Sequence, residues 1–103
     1  MVQEVTAATF HKEVLQQPAA VVDMWAEWCM PCKRLAPIME ELSKEMKELK
    51  FTKLDVEAFP DLAQQYDVMN IPTVLVFKNG KEAGRITGLL PKEELKKRIL
   101  SFL

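Results

Sequence analysis

The sequence predicts an α/β fold in which helices cover both faces of a central mixed β-sheet, with parallel strands followed by a C-terminal antiparallel hairpin. Short apolar runs of strand length alternate with segments whose apolar residues recur at helical spacing, which indicates strands joined by helices. Residues 19–26 (AAVVDMWA) are almost wholly apolar, as is typical of a central strand buried on both faces. Asn79-Gly80 stands between two further strand patterns and is the strongest short signal for a β-hairpin.

The chain before the central strand predicts a short edge strand and a helix. Residues 2–5 form the candidate edge strand. Thr6 or Thr9 can cap the helix that follows, because a hydroxyl there accepts a hydrogen bond from the first helical turn. Phe10 and Val14, four residues apart, then share the face of this helix that we expect to be buried.

A long amphipathic helix is predicted over residues 32–49. Its apolar residues recur at helical spacing: Leu35, Ile38, Met39, Leu42, Met46 and Leu49. Pro37 lies inside this helix, where its missing N–H donor and its ring should produce a kink. Residues 51–56 then predict a strand parallel to the central one, because a helix connects the two.

The C-terminal part of the chain predicts the rest of the sheet and two more helices. The candidate elements are a short helix over residues 60–66, a strand over 73–77, a turn over 78–81, a partner strand ending near Ile86, and a last helix that carries Leu95, Ile99 and Phe102. Pro91 suits the first turn of that last helix, since the first turn needs no N–H donor from it.

Length and charge predict one domain over residues 1–103 and exclude several classes of partner. Lys and Arg total 14 against 15 Asp and Glu, so no net charge attracts nucleic acid or an anionic membrane. No run approaches the roughly 20 apolar residues that span a bilayer. The first residues lack the basic and apolar stretches of a secretory signal. We therefore expect a cytoplasmic protein.

The only two cysteines, Cys29 and Cys32, lie where the central strand pattern gives way to a helix. A helix that begins beside Cys29 directs its unpaired N–H groups and positive dipole end at that sulfur, which favours the reactive thiolate. We expect Cys29 to be exposed and to attack a substrate disulfide, and the more shielded Cys32 to resolve the mixed disulfide. Pro31 stiffens this ring, and Met30 sets its local shape and polarity.

Two other interpretations of the cysteine pair stay open. A permanent structural disulfide is possible, although it closes too small a loop to stabilise the chain much. A zinc site needs four ligands, and the chain adds only His11 to the two thiols, so such a site would have to be shared between two chains. We expect no metal and no cofactor beyond the redox-active disulfide.

Asp23 is the one charged residue in the central strand pattern. Burial of an unpaired carboxyl raises its pKa, and a carboxyl that titrates near neutrality can take the proton of Cys32. The alternative is a strand-end carboxylate bound to backbone N–H groups. Lys53 alternates with Phe51 and Asp55, and it either faces inward toward Asp23, where it would temper that pKa, or lies on the surface.

Several segments, in this order along essentially the whole chain, resemble the thioredoxin family. They are residues 22–33 (VDMWAEWCMPCK), Lys53-Leu54-Asp55, Tyr66-Asp67-Val68, Asn70-Ile71-Pro72-Thr73, Phe77-Lys78-Asn79-Gly80 and Gly88. The resemblance implies a thioredoxin fold and a protein-disulfide reductase. Its partners would be protein disulfides and a thioredoxin reductase, and the protein would be a monomer.

The resemblance also implies roles for residues around the cysteines. Ile71-Pro72 would be a cis peptide that leaves the backbone of Ile71 free to pair with an extended substrate segment. The substrate surface would comprise Trp28, Met30, Pro31, Met69, Ile71, Pro72 and Gly88, with Trp25 packed beneath it. Met30 stands where the family usually has Gly, and Met69-Asn70 where a basic residue and Gly are common. These changes add thioether surface around the reactive sulfur.

Two other functions stay open beside the reductase. An oxidant or isomerase can use the same scaffold, because the reduction potential sets the direction of exchange. A non-catalytic binding module is the other.

Overall fold

The computed structural model describes every residue from Met1 to Leu103. Its five strands are β1 (Gln3–Glu4), β2 (Ala19–Trp25), β3 (Lys50–Asp55), β4 (Thr73–Lys78) and β5 (Lys81–Thr87). The helical elements are a π-helical segment (His11–Leu15), α1 (Met30–Glu45), α2 (Pro60–Gln65) and α3 (Lys92–Ser101). The strand order is β1-β3-β2-β4-β5, so the predicted central strand does lie in the middle of the sheet.

The directions of the strands confirm the predicted mixed sheet. β3 runs parallel to both β1 and β2, whereas β4 is antiparallel to β2 and to β5. The turn from β4 to β5 has φ values of 52° at Asn79 and 82° at Gly80. Left-handed backbone at both central residues is what a type I′ hairpin turn requires, which explains the Asn-Gly pair.

Helices cover both faces of the sheet, as predicted. The front face, which α1 and α3 cover, buries Val21, Phe51, Val74, Val76 and Ile86. The back face, which the π-helical segment and α2 cover, buries Val22, Met24, Leu54, Leu75 and Phe77. Alternation of side chains along each strand places neighbours on opposite faces. Asp23, between Val22 and Met24, therefore belongs to the front face.

Two helical elements differ from the sequence-based predictions. The N-terminal helix is a π-helix, in which the N–H of Gln16 donates to the carbonyl oxygen of His11 at 2.9 Å. The long helix spans Met30–Glu45 instead of residues 32–49. It begins earlier because Cys29 caps it, and it ends earlier because Met46 leaves the helical conformation, with φ −115° and ψ 68°. The turn that follows returns Leu49 to the core.

Candidate active site

Cys29 and Cys32 form a disulfide at the start of α1, with their Cα atoms 5.2 Å apart. Cys29 is the N-cap residue of that helix and has an extended backbone. Its Sγ accepts a hydrogen bond from the backbone N–H of Cys32 at 3.2 Å. The backbone N–H of Cys29 donates to the carbonyl oxygen of Ala26, just past β2, at 3.1 Å. The chain leaving β2 thus holds the Cys29 sulfur against the N–H groups of the first helical turn.

The expectation that Cys29 is exposed is wrong for the disulfide form. Cys29 is 4% exposed and Cys32 is 2% exposed, so both residues are buried and differ little. They form one small cluster with Ala26, and Trp25, Val56 and Ile71 pack against that cluster. Trp25 thus lies against the sulfur cluster. The burial arises because Val56 and Ile71 reach the cysteines from loops after β3 and before β4.

Asp23 lies on the front face and is only 3% exposed. It pairs in register with Lys53 on one side and Val74 on the other. Its Oδ1 is buried and has no hydrogen-bond partner in the protein. Burial raises the pKa of Asp23 from 3.8 to about 7, and the Lys53 ammonium opposes that rise. The carboxyl can therefore gain or lose a proton near neutral pH.

The sequence leaves Lys53 either facing inward toward Asp23 or on the surface. In the structure its side chain is half-buried on the front face, the face to which Asp23 belongs. Its Nζ is 5.3 Å from the centroid of the Trp25 ring, a cation–π distance. Trp25 in turn packs against the cysteine cluster. The front face therefore brings a carboxyl, an ammonium group and an aromatic ring together at the end of β2 that leads to the disulfide.

The rim of the site exposes large apolar side chains. Trp28 is 65% exposed, Met30 60% and Met69 89%, and Pro31 is also exposed. None of the four surface pockets is lined by either cysteine. A rim of exposed apolar side chains suits the surface of another protein better than an enclosed small molecule.

The loop before β4 has the backbone course that the resemblance implies. The Ile71–Pro72 peptide bond is cis. Pro72 is buried, whereas Ile71 is half-buried against the cysteine cluster. Gly88, with φ 94°, donates its backbone N–H to the carbonyl oxygen of Pro72 at 2.8 Å. A backbone hydrogen bond therefore joins Gly88 to Pro72, two of the residues that the resemblance assigns to the substrate surface.

Outside the cysteine cluster and its rim lie Pro37, where the sequence predicts a kink, and Arg85, which no motif marks. Pro37 is exposed, and α1 continues through it. Arg85 was missed in the sequence, although its guanidinium donates to the backbone carbonyls of Tyr66 and Asp67, just before the site loop. No motif marks such a residue, because the contact joins positions 18 and 19 residues apart.

No three His, Cys, Asp or Glu side chains are grouped so that they could hold a metal ion. None of the helices combines the length and the apolar character needed to cross a membrane.

Comparison with known proteins connects this geometry to a family. The family model described as Thioredoxin matches residues 1–101. The thioredoxin of Rickettsia felis is 43% identical over 97 residues, which cover 92% of each chain. The thioredoxin of Listeria monocytogenes is 41% identical over 104 aligned positions, which cover both chains completely. Thioredoxin-1 of Saccharomyces cerevisiae is 43% identical over 86 residues, or 84% of each chain.

The family match covers residues 1–101 and so includes the disulfide between Cys29 and Cys32. The chain belongs to the thioredoxin family and is a thiol–disulfide oxidoreductase, a protein-disulfide reductase that works by dithiol–disulfide exchange.

Proposed function

We propose that Cys29 is the nucleophile of the exchange reaction, that Cys32 resolves the mixed disulfide, and that Asp23 transfers the proton of Cys32. One domain, residues 1–103, would carry the whole reaction. The observation on which the proposal rests is the hydrogen bond from the Cys32 N–H to the Cys29 Sγ at the start of α1. Only the sulfur of Cys29 receives this bond and stands at the positive end of the helix dipole.

In the first step, the Cys29 thiolate attacks one sulfur of a substrate disulfide. A bond forms between Cys29 and that sulfur, the substrate disulfide breaks, and its second sulfur leaves as a thiolate that takes a proton from water. The helix N-terminus supports this step, because its N–H groups stabilise negative charge on the Cys29 sulfur.

In the second step, Cys32 must lose its proton before it can attack Cys29. The Asp23 carboxylate accepts that proton, the Cys32 sulfur bonds to the Cys29 sulfur, and the reduced substrate leaves as a thiolate. A pKa of about 7 makes Asp23 able both to accept the proton and to release it again. Lys53, which lowers that pKa, modulates the step without touching the reacting atoms.

The apolar rim forms the substrate surface in this proposal. The surface comprises the exposed Trp28, Met30, Pro31 and Met69, together with the half-buried Ile71 and Gly88 and the buried Pro72. An extended segment of the substrate pairs with the backbone of Ile71, while the exposed thioethers and the indole pack on apolar side chains around the target disulfide. The absence of a cysteine-lined pocket supports a protein surface as the substrate.

A protein of this family receives its electrons from a reductase. We propose that a thioredoxin reductase reduces the Cys29–Cys32 disulfide, with no metal or organic cofactor, on a monomer that acts in the cytoplasm. Each substrate disulfide that is reduced oxidises the two thiols of Cys29 and Cys32 to their disulfide, and the reductase returns that disulfide to the dithiol.

Insulin reduction driven by dithiothreitol tests these roles. Cys29→Ser should lower turnover to the rate of dithiothreitol alone. Cys32→Ser should instead accumulate a mixed disulfide between Cys29 and insulin, visible by mass under non-reducing conditions. If Cys29→Ser keeps its turnover, or if the trapped adduct forms through Cys32 in a Cys29→Ser variant, the assignment of the nucleophile is wrong.

A further inference from the structure

Arg85, near the end of β5, makes an unusually complete set of hydrogen bonds for a half-buried arginine. Its Nη1 donates to the carbonyl oxygen of Asp67 at 3.2 Å, and its Nη2 donates to that of Tyr66 at 2.6 Å. Nε and Nη2 also bind the two carboxylate oxygens of Glu82 at 2.7 and 2.9 Å. The Glu82 bonds raise the pKa of Arg85 and fix the direction of its planar fork.

The two carbonyls that Arg85 binds belong to Tyr66 and Asp67, the two residues that directly follow α2. The N–H of Val68 donates to the carbonyl oxygen of Ala63, and that of Asp67 donates to Gln64, at 2.9 and 3.0 Å. With φ 53° at Asp67, this is the Schellman arrangement that ends a helix. Those bonds occupy carbonyl oxygens inside the helix, whereas the carbonyls of Tyr66 and Asp67 have no donor from the helix. Arg85 supplies donors to them.

The same strand also fixes the other end of the site loop, residues 68–71. Gly88, directly after β5, donates its N–H to the carbonyl oxygen of Pro72 at 2.8 Å. The hydroxyl of Thr73, the first residue of β4, donates to the carbonyl oxygen of Asn70 in the loop at 2.5 Å. Arg85 in β5 and Gly88 directly after it therefore hold the backbone just before Val68 and just after Ile71, while the Val68 and Ile71 side chains pack on the back-face core.

We propose that Arg85 is a positioning residue for substrate binding, which acts by holding the loop that presents Met69 and the Ile71 backbone. This inference rests on the proposed function, in which that backbone pairs with an extended substrate segment. Release of the Tyr66 and Asp67 carbonyls lets the loop move, so a substrate must order it on binding and binds more weakly. The sulfurs at the start of α1 keep their own hydrogen bonds, so their intrinsic reactivity is unchanged.

Steady-state reduction of insulin by Arg85→Ala, with Arg98→Ala as the control, tests the inference. Arg98 is exposed on α3, so Arg98→Ala removes the same positive charge as Arg85→Ala without removing the hydrogen bonds to the Tyr66 and Asp67 carbonyls. We expect Arg85→Ala to raise KM about tenfold and to leave kcat within about twofold, whereas Arg98→Ala matches wild type. Arg85→Lys keeps the charge without the fork and should give an intermediate KM.

The outcomes separate this inference from the function on which it rests. Failure of wild type to reduce insulin through Cys29 would overturn both. An active wild type, with a KM for Arg85→Ala equal to that of Arg98→Ala or a loss confined to kcat, would overturn the positioning role alone. If Arg85→Ala does not fold, Arg85→Lys is judged by the same criteria, and hydrogen exchange at residues 68–71 should be faster in it than in Arg98→Ala.

Discussion

The two faces of the sheet bury polar side chains in different ways. Thr52, which alternates with Phe51 and Lys53 along β3, is fully buried on the back face, and its hydroxyl donates to the carbonyl oxygen of Val21 at 2.8 Å. Asp23 is equally deep on the front face, yet its Oδ1 has no partner in the protein. A buried polar group without a partner destabilises the fold. The front face thus carries a free-energy cost that the back face avoids, and carries it in the strand that leads to the disulfide.

The back face also contains an aromatic cluster that the front face lacks. Phe10, Tyr66 and Phe77 have ring centroids 5.4 to 6.0 Å apart in tilted and edge-to-face arrangements. Such pairs add stability beyond the area that they bury. The back face therefore mainly stabilises the fold, whereas the front face contains Asp23, to which we assign the proton transfer. Substitutions on the two faces should therefore have different signatures.

Removal of the aromatic ring at the centre of the back face should have the largest effect on stability. Phe77→Ala should lower the free energy of unfolding by about 3–5 kcal/mol, because it leaves a cavity where a fully buried ring was. Urea unfolding measures this loss. The pH dependence of disulfide exchange by the folded fraction should stay as in wild type. An altered pH profile would show that the two faces are not separable.

Stability should fall with rising pH because of Asp23. Its pKa is about 7 in the folded protein and 3.8 ordinarily, so between these values the folded state binds more protons than the unfolded state. The stabilisation is complete below pH 4, is lost as pH rises toward 7, and stays lost above it. The difference between about 7 and 3.8 corresponds to a loss on the order of 4 kcal/mol.

The variant Asp23→Asn isolates this effect, because an amide does not titrate in this range. Urea unfolding at pH 5 and pH 8 should show the loss in wild type and not in Asp23→Asn. The control Asp61→Asn removes an exposed carboxyl on α2 and should keep the wild-type loss. An equal loss in Asp23→Asn would mean that another group causes the pH dependence.

The satisfied hydroxyl of the back face provides a smaller test. Thr52→Val keeps the shape of the side chain and removes its hydrogen bond to Val21. The free energy of unfolding should fall by about 1 kcal/mol, the net value of one buried hydrogen bond. The change should be equal at pH 5 and pH 8. A loss in free energy of unfolding that differs between pH 5 and pH 8 would show that a titrating group on the back face contributes to stability.

The smallest change should come from Lys53, which affects Asp23 only through its charge. Lys53→Met keeps much of the side-chain length, removes the ammonium group, and should raise the pKa of Asp23 further. Titration of the carboxyl by infrared spectroscopy measures the shift. Lys50→Met, on the same strand but paired with Glu13 at 3.1 Å, should leave that pKa unchanged. Equal shifts in the two variants would argue for a general field instead of a specific pair.

Much of the fold could be predicted from the sequence because its signals are local. The apolar run of β2 and the Asn79-Gly80 turn each specify an element through adjacent residues. The end of α1 is harder to predict, since the apolar pattern continues to Leu49 although Met46 has already left the helical conformation. The π-helical form of the N-terminal helix has no signal that we can identify in its residues.

The site could be predicted only where one segment contains it. The cysteine pair and the buried Asp23 lie within ten residues of one another, and both stand out in sequence. The burial of Cys29 depends on Val56 and Ile71, which come from distant loops. The contacts of Arg85 likewise depend on how β5 passes the end of α2.

The rate at which Cys32 resolves a mixed disulfide, measured from pH 5 to 9, tests the role of Asp23 most directly. A mixed disulfide between Cys29 and a peptide thiol can be formed first and its breakdown followed by release of the peptide. We expect this rate to rise through an inflection near pH 7 in wild type and the inflection to be missing in Asp23→Asn. The same inflection in Asp23→Asn would contradict this role.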